Sequence, residues 1–351
     1  MINYRLANIG DNQQLLELTR SAGMSGKMAL RIDRQPDFFK LNTLRGKTNV
    51  YVATENELIV GSISVTHQNV YIEKNEYPLF YISDFKVATT HRHLGIGLQL
   101  TNEVVKYLET QNADFAFLNV SKGNRRPFVF FSERSHYPDF ENIGLFKVFQ
   151  FLGSSKEPSS SNKFNIEPSK LTSEVLDFLN KYYSQYQLAS VIEKERNEAT
   201  QFYVVRQEHH LKAVLGIIDT MPMKQNVALS LPWYFSLFIN CINGMSNLLR
   251  VSKLPKVNDP IKMLNIKYLA TEVNDKKLVA LLLNYAQKRA FDKSYSFVSI
   301  GLHEKDPLIK TLPKSLKFTF YSVGMLVSMK DSKELMYKIK KGIPFKDYSI
   351  V

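Results

Sequence analysis

A ten-residue stretch near the middle of the chain most constrains how it can fold. Residues 153–162 consist only of glycine, proline, serine, lysine, glutamate and asparagine, a composition that resists both helix and strand. The 351 residues are enough for two domains of ordinary size. We therefore predict a first domain over residues 1–152, a linker over 153–162 and a second domain over 163–351.

The first half alternates short strands with helices. Hydrophobic runs between turns predict six strands, over residues 4–6, 48–53, 58–65, 79–87, 115–120 and 145–152. Helices are predicted over residues 12–22, 37–41 and 127–134. The four-residue spacing of Leu100, Val104 and Leu108 predicts a further, amphipathic helix that ends at Asn112. Hairpin strands combined with one strand–helix–strand unit indicate an α/β or α+β domain.

The second half repeats this order without repeating the residues. Its pattern predicts strands over 202–206, 211–218, 263–270 and 295–300, with a helix over 276–289. The interval from Phe85 to Phe117 is 32 residues, and the interval from Tyr268 to Ser299 is 31. We therefore predict a duplicated fold in which residues 233–249 form a helical insertion of the second copy.

An uncharged stretch, residues 226–249, is long enough to span a bilayer. Asparagines, serines, Pro232 and Gly244 interrupt it, so we interpret it as a helix packed inside a soluble domain. The first six residues lack the basic-then-apolar order of a secretory signal. These features predict a cytoplasmic protein with no membrane partner.

The charge balance indicates an anionic ligand. The chain has 46 Lys and Arg residues against 33 Asp and Glu residues, which gives a net charge of +13. The basic residues are dispersed, which argues against nucleic acid as the partner. The single cysteine, Cys241, excludes an internal disulfide framework and a CxxC metal site.

The segment His91–Leu98 lies between a predicted strand and a predicted helix. Gly95 and Gly97 let the main chain approach a ligand closely and adopt angles closed to other residues. The N–H groups of the first helical turn then bind an anion, and Arg92 adds a charge beside them. A diphosphate fits this arrangement because it spans several amides. A tight turn without a ligand is the alternative interpretation.

Two nucleotide-binding loops are excluded by the residues that follow. No Gly-Lys-Ser/Thr sequence comes after the glycines, so the segment is not a nucleotide P-loop. Leu100 stands where a dinucleotide-binding fold needs a third glycine.

The segment resembles the cofactor loop of the GNAT superfamily of acyl-coenzyme A dependent N-acyltransferases. Three further features carry the resemblance over residues 2–152: the strand 84–87, the hairpin ending at 59–63 and Asn124 after the next strand. It implies, for each half, a mixed, mostly antiparallel sheet flanked by helices. It also implies acetyl-coenzyme A as cosubstrate, without a metal. A long-chain acyl donor is the alternative, because paired domains resembling the myristoyl transferase exist, although its distinctive residues are not found here.

The resemblance assigns cofactor contacts to particular residues. The diphosphate of coenzyme A would lie on the loop Arg92, His93, Leu94, Gly95, Ile96 and Gly97. Main-chain groups of the strand, at Phe85, Lys86 and Val87, would bind the pantetheine and polarise the thioester carbonyl. Asn124 would complete the cofactor site.

The catalytic residues depart from the family pattern. Many relatives carry an acidic pair before the loop, and here Ser83 and Asp84 occupy those positions. Asp84 is the candidate base, with an ion pair or a helix-capping role as the alternative. Glu55 and Glu57 are other candidate bases, although both lie in a predicted turn.

The position of the general acid also departs from the family pattern. Relatives usually place a tyrosine seven residues after the asparagine, and here that position is Phe131, which has no proton to donate. Tyr137 is the candidate acid, with Ser132 as a second choice. A purely structural tyrosine is the alternative.

The second half lacks the phosphate loop. No glycine stands between the strand ending at 270 and the helix beginning at 276, and Asn274 or Asp275 is placed to cap that helix. We expect that this half does not bind coenzyme A and instead shapes a site for a small-molecule or peptide amine.

Three functions remain open from the sequence. The leading hypothesis is transfer of an acetyl group to an amine by direct attack on the thioester. A non-catalytic acyl-coenzyme A binding module is the second, suggested by Phe131. The third is an aminoacyl-tRNA dependent transferase of the Fem type, although that family does not rely on such a phosphate loop.

Overall fold

The computed structural model describes residues 1–21, 29–123, 139–158, 164–272, 274–330 and 332–351. In these residues a continuous sheet of 13 strands runs through both halves of the chain, and a separate two-stranded sheet pairs β2 with β12. The strands are β1 Ile2–Leu6, β2 Ala29–Asp33, β3 Lys47–Glu55, β4 Leu58–Ile72, β5 Asn75–Val87, β6 Phe115–Ser121, β7 Asp139–Leu152, β8 Asn165–Ser169, β9 Ala189–Ser190, β10 Thr200–Gln207, β11 His210–Ile218, β12 Gln225–Ser230, β13 Met263–Thr271, β14 Phe297–His303 and β15 Lys317–Ser328. The helices are α1 Asn12–Ser21, α2 Lys40–Arg45, α3 Ile96–Thr110, α4 Ser173–Tyr183, α5 Trp233–Leu249, α6 Lys276–Asp292, α7 Leu308–Thr311 and α8 Lys333–Lys341.

The large sheet is mostly antiparallel. Its order is β1-β3-β4-β5-β6-β15-β7-β14-β13-β11-β10-β8, and β9 pairs with β4. Parallel strand pairs occur at β5–β6 and β13–β14. Each of these pairs is joined by a helix, α3 in the first half and α6 in the second. The predicted fold class, a mixed and mostly antiparallel sheet flanked by helices, is confirmed.

The centre of the sheet interleaves strands from the two halves. β15, near the end of the chain, pairs with β6 on one side and with β7 on the other. β7 in turn pairs with β14. Each half therefore supplies a strand that lies beside a strand of the other half, and the halves share one hydrogen-bonded ladder.

The buried core agrees with the predicted amphipathic helix. Leu100, Val104 and Leu108 of α3 are fully buried against β4, β5 and β6. The predicted helix over 37–41 is found three residues later, as α2. The predicted helix over 127–134 lies outside the described residues.

The segment predicted as a linker makes main-chain hydrogen bonds where it is described. Gly153 N–H donates to the Ser296 carbonyl at 3.0 Å, and Ser252 N–H donates to the Gly153 carbonyl at 2.8 Å. The first residues of the segment are thus fixed to the second half. The division into two domains at 153–162 stays a prediction.

Helix α5 corresponds to the predicted insertion over 233–249, but the prediction that it packs inside the protein is wrong for most of its surface. Trp233 is 74% exposed and Leu248 is 79% exposed. The buried residues of the helix are Ile239, Ile242 and Ser246. Within the described part of the chain, no helix is long and apolar enough to cross a membrane.

Candidate functional site

The predicted phosphate loop is formed at the start of α3. Gly95 precedes the helix with φ +76°, a left-handed conformation that favours glycine, and no side chain caps the helix. A Cβ atom on Gly95 would meet no atom within 4 Å. The first turn of α3 carries no acidic residue. Among the described residues, the N–H groups of this turn therefore have no side-chain cap at the positive end of the helix dipole.

The residues before the glycines add basic groups to the loop. Arg92 is half-buried and His93 is exposed, with φ +67° at His93. His91 is held away from the loop, because its Nε2 lies 3.0 Å from a Glu55 carboxylate oxygen and its Nδ1 lies 2.7 Å from the Thr90 hydroxyl. Glu55, a candidate base from the sequence, is engaged in this contact.

The start of α3 lies directly on β4 at Gly61. A Cβ atom there would be 3.0 Å from Leu100 Cδ1, 3.1 Å from Ile96 Cγ2 and 3.3 Å from the Lys86 carbonyl oxygen. A residue with a Cβ atom at this position would push the first turn of the helix away from the strand by a few tenths of an ångström.

A Gly61→Val substitution is expected to displace this first turn. Overpacking of this kind costs about 1–3 kcal/mol, so the free energy of unfolding in urea should fall by that amount. The affinity for acetyl-coenzyme A should fall with it, because the loop moves. A matched control is Gly244→Ala in α5, where an added Cβ meets nothing within 4 Å. Equal stability of Gly61→Val and wild type would contradict the close packing of α3 against Gly61.

A gap opens between β5 and β6 beside this loop. The two strands pair at only three positions, Phe80–Ile82 with Ala116–Leu118, although both continue further. On its other side β5 has a bulge, because Ser62 pairs with Lys86 whereas Ser64 pairs with Ser83. We call the gap between β5 beyond Ile82 and β6 beyond Leu118 the strand slot.

The side chains of the bulged segment alternate between two environments. Phe85 and Val87 pack against the cluster that contains Ile96 and Leu100 of α3. Lys86 lies with Asp84 instead, with its Nζ 3.8 Å from the Asp84 carboxylate. The strand therefore faces α3 with apolar groups and presents charges elsewhere.

Asp84 is locked in ion pairs, which was the alternative interpretation of this residue. Arg34 Nη1 lies 3.1 Å from one carboxylate oxygen and Arg45 Nη1 lies 2.6 Å from the other. Burial alone raises the pKa of Asp84, but Arg45, Arg34 and Lys86 together hold this pKa well below its usual range. The carboxylate is therefore ionised at neutral pH and is a weak proton acceptor. Its role as a base stays a prediction.

The two arginines were missed by sequence reasoning. Arg34 follows β2 and Arg45 ends α2, so they lie 50 and 39 positions before Asp84. Arg34 is only 1% exposed and also donates to the Phe38 carbonyl. An arginine so fully buried is rare without a partner, but sequence spacing gives no signal of that burial.

Glu57, another candidate base, lies exposed in the turn between β3 and β4. Four further catalytic and cofactor candidates lie outside the described residues. These are Asn124, Phe131, Ser132 and Tyr137. Their predicted roles stay predictions. In the part of the chain that the structure does describe, no group of three His, Cys, Asp or Glu side chains could hold a metal ion.

The corresponding helix of the second half, α6, has a capped N-terminus. Asp275 caps α6, and its carboxylate accepts a hydrogen bond from the Lys277 N–H at 2.7 Å. This confirms the predicted cap. A carboxylate thus occupies the position where an anion would have to bind.

A buried lysine near β5 makes folding stability depend on pH. Lys346 is 5% exposed and its Nζ lies 3.5 Å from the centre of the Tyr81 ring. Burial lowers the pKa of Lys346 to about 7. Between about pH 7 and the unfolded pKa near 10.4, only the unfolded chain holds this proton, so folded stability rises with pH.

We expect this lysine to add about 1.4 kcal/mol per pH unit to the slope of stability against pH between pH 7 and 9. The measurement is urea unfolding of wild type and of Lys346→Met at several pH values. Below pH 7 the contribution should vanish. Parallel stability curves for the two proteins above pH 7 would show that the lysine is not buried as described.

The sequence and the fold were then compared with known proteins. Residues 3–124 match the family described as an acetyltransferase (GNAT) domain. No curated protein matches the sequence. Residues 3–124 are thus similar to a GNAT domain, and the predicted resemblance to that superfamily is confirmed.

Solved structures show that the likeness of fold continues through the second half. A GCN5-related N-acetyltransferase from Anabaena variabilis superposes over 94% of this chain and 73% of its own, with TM-score 0.57 and 12% identity. The Saccharomyces cerevisiae N-myristoyltransferase with bound myristoyl-CoA covers 93% of this chain and 82% of its own, with TM-score 0.62 and 10% identity. A GCN5-related N-acetyltransferase from Kribbella flavida gives TM-score 0.52 and 11% identity, over 93% of this chain and 71% of its own. The chain has the fold of N-acyltransferases.

Proposed function

We propose that the protein is an acyl-coenzyme A dependent N-acyltransferase that transfers an acetyl group from acetyl-coenzyme A to an amine. One observation carries the proposal: the uncapped first turn of α3, opened by Gly95, lies beside the strand slot between β5 and β6. A single extended molecule with a diphosphate at one end and a thioester at the other could occupy both. The match of residues 3–124 to an acetyltransferase domain supports this.

In this proposal the loop and the strand bind different parts of the cofactor. The N–H groups of residues 93–97 bind the diphosphate, with Arg92 as a further cation. Main-chain groups at Phe85 and Val87 hold the pantetheine and polarise the thioester carbonyl. A main-chain N–H aimed at the developing oxyanion is worth about 3 kcal/mol of transition-state stabilisation. Asn124 would complete the cofactor contacts.

The reaction also needs two proton transfers. The attacking amine loses a proton as its C–N bond forms, and the departing thiolate takes one up as the C–S bond breaks. We propose Tyr137 as the donor to the thiolate. The proposed role of Asp84 is on the side of the amine, where its charge attracts the ammonium, although its low pKa limits it as a base.

Titration calorimetry and a thiol-release assay test the proposal together. We expect one acetyl-coenzyme A per chain, because Asp275 closes the terminus of α6. Free coenzyme A should appear only when an amine is added. Myristoyl-coenzyme A forms a second arm, since the fold also resembles a protein solved with that ligand. No binding of either thioester would overturn the proposal, and two sites per chain would overturn the assignment of the second half.

A second candidate function is a non-catalytic module that binds acyl-coenzyme A. The ion-paired state of Asp84 favours it, because the described residues then offer a poor proton acceptor at the strand slot. Tight binding of acetyl-coenzyme A without thiol release over a broad panel of amines would support this function. Turnover with any amine would exclude it.

A further inference from the structure

A group of cations comes together from β5, the end of α2, the segment after β2 and the segment before β12. We call Arg34, Arg45, Lys86 and Lys224 the cation cluster. Asp84 is the carboxylate with which Arg34, Arg45 and Lys86 pair. Lys224 is within electrostatic reach, since Arg45 and Arg34 lower its pKa and Asp84 raises it, although burial is the largest cause of its lowered pKa.

The cations outnumber the anions around them. Four cations face Asp84, and Asp37 adds a weaker attraction on Arg34. Lys224 donates to the main-chain oxygen of Val351, and burial lowers its pKa to about 7, so an anion beside it would favour its charged form. Buried charge without a counterion is costly, so this region favours an added anion.

A cavity of about 150 Å³ lies next to Lys224. Lys224 is the one charged side chain among its described lining residues. The polar residues around it include Gln150, Thr220, Asn226, Asn265 and Ser299. Asp and Glu are absent from that described lining, but Val351 belongs to it and already accepts a hydrogen bond from Lys224. An engineered cavity of this volume in another protein holds benzene, which has six heavy atoms.

The lining offers hydrogen-bond donors. The Lys224 ammonium has three N–H groups, and one of them donates a hydrogen bond to Val351. The Gln150 amide nitrogen has a weak contact, 4.0 Å from the sulfur of Met263. Asn265 is fixed in place because it donates to the Thr220 hydroxyl at 2.9 Å. A cation with amide donors suits a carboxylate better than a neutral or cationic group.

We propose that this cavity binds the carboxylate of the acceptor, so that the acceptor is a small amine that also carries a carboxylate. This inference rests on the proposed function. Lys224 is its counterion. Val351, which accepts from Lys224, follows Ile350, whose carbonyl accepts from Arg45 Nε at 2.7 Å, and Arg45 pairs with Asp84. In this proposal the amine of the acceptor extends along these residues toward the thioester. The same donors could hold a phosphate, and the experiment separates the two anions.

Binding of matched amines by titration calorimetry tests this inference directly. β-Alanine and propylamine have the same chain length and differ in the carboxylate, and 2-aminoethyl phosphate supplies the other anion. We expect β-alanine to bind at least ten-fold more tightly than propylamine, and more tightly than the phosphate. In Lys224→Met the ten-fold difference should disappear, whereas Lys224→Arg should retain it. Lys253→Met, an exposed lysine elsewhere, is the control and should behave as wild type.

The outcomes separate this inference from the proposed function. If acetyl-coenzyme A binds and is consumed with propylamine as readily as with β-alanine, the inference fails and the proposed function stands. If β-alanine binds to the wild type and loses its advantage over propylamine in Lys224→Met, but acetyl-coenzyme A does not bind, the proposed function fails and the inference stands. Equal binding of the two amines to the wild-type protein, or no binding of either at millimolar concentration, overturns the inference. Tighter binding of the phosphate reassigns the site to phosphorylated amines.

Discussion

Replacement of Gly97 by aspartate is expected to abolish the binding of acetyl-coenzyme A. Gly97 is the second residue of α3, within the uncapped first turn. An aspartate there would place a carboxylate against the N–H groups that we assign to the diphosphate, and the two anions would repel each other. The helix itself should tolerate the change, because a negative side chain near the N-terminus of a helix is favourable. The measurement is calorimetric titration, with the melting temperature as a check on folding.

The second half supplies a matched control for this substitution. Lys277 is the second residue of α6 and is exposed, and its N–H is already bonded to Asp275. Lys277→Asp should leave the affinity for acetyl-coenzyme A unchanged. An unchanged affinity in Gly97→Asp would remove the cofactor assignment, and a loss of affinity in both variants would point to net charge rather than to the loop.

Removal of the Asp84 carboxylate is expected to be among the most destabilising single changes on this chain. Asp84→Ala leaves Arg34 and Arg45, which are 1% and 3% exposed, without their common counterion. Breaking a buried ion pair from one side costs about 3–5 kcal/mol. The free energy of unfolding in urea should fall by that amount. A fall in stability below about 1 kcal/mol would mean that water already solvates the arginines.

An exposed arginine–carboxylate pair provides the comparison. Arg206 and Glu174 also form two hydrogen bonds, but both side chains are solvent-accessible. Glu174→Ala should cost less than about 1 kcal/mol, since exposed ion pairs contribute little. The difference between the two substitutions measures what burial adds at Asp84.

Local patterns predicted the elements of this fold better than their arrangement. The spacing of Leu100, Val104 and Leu108 identified α3, because one face of that helix is fully buried. Strand β15 was not predicted, and its pairing with β6 joins residues about 200 positions apart. Hydrophobic periodicity reports which face of an element is buried, and it carries no information on which distant strand lies beside it.

The same distinction between local patterns and distant contacts applies to the candidate site. The loop at Gly95 and Gly97 was predictable, because main-chain geometry imposes glycine there. The cap on α6 at Asp275 was predictable for the same local reason. The pairing of Asp84 with two arginines from other elements was not, since it depends on tertiary packing. The predicted burial of helix α5 was wrong because an uncharged sequence is usually buried, whereas much of this helix is exposed.

The position of β15 has a consequence for synthesis on the ribosome. β6 is complete after residue 121, but the strand that pairs with its free edge begins only at Lys317. At 5–20 residues per second, β6 waits about 10–40 s for that partner. During this interval an unpaired edge is open to wrong strands from the same or another nascent chain. We therefore expect a chaperone that shields this edge to raise the yield of native protein.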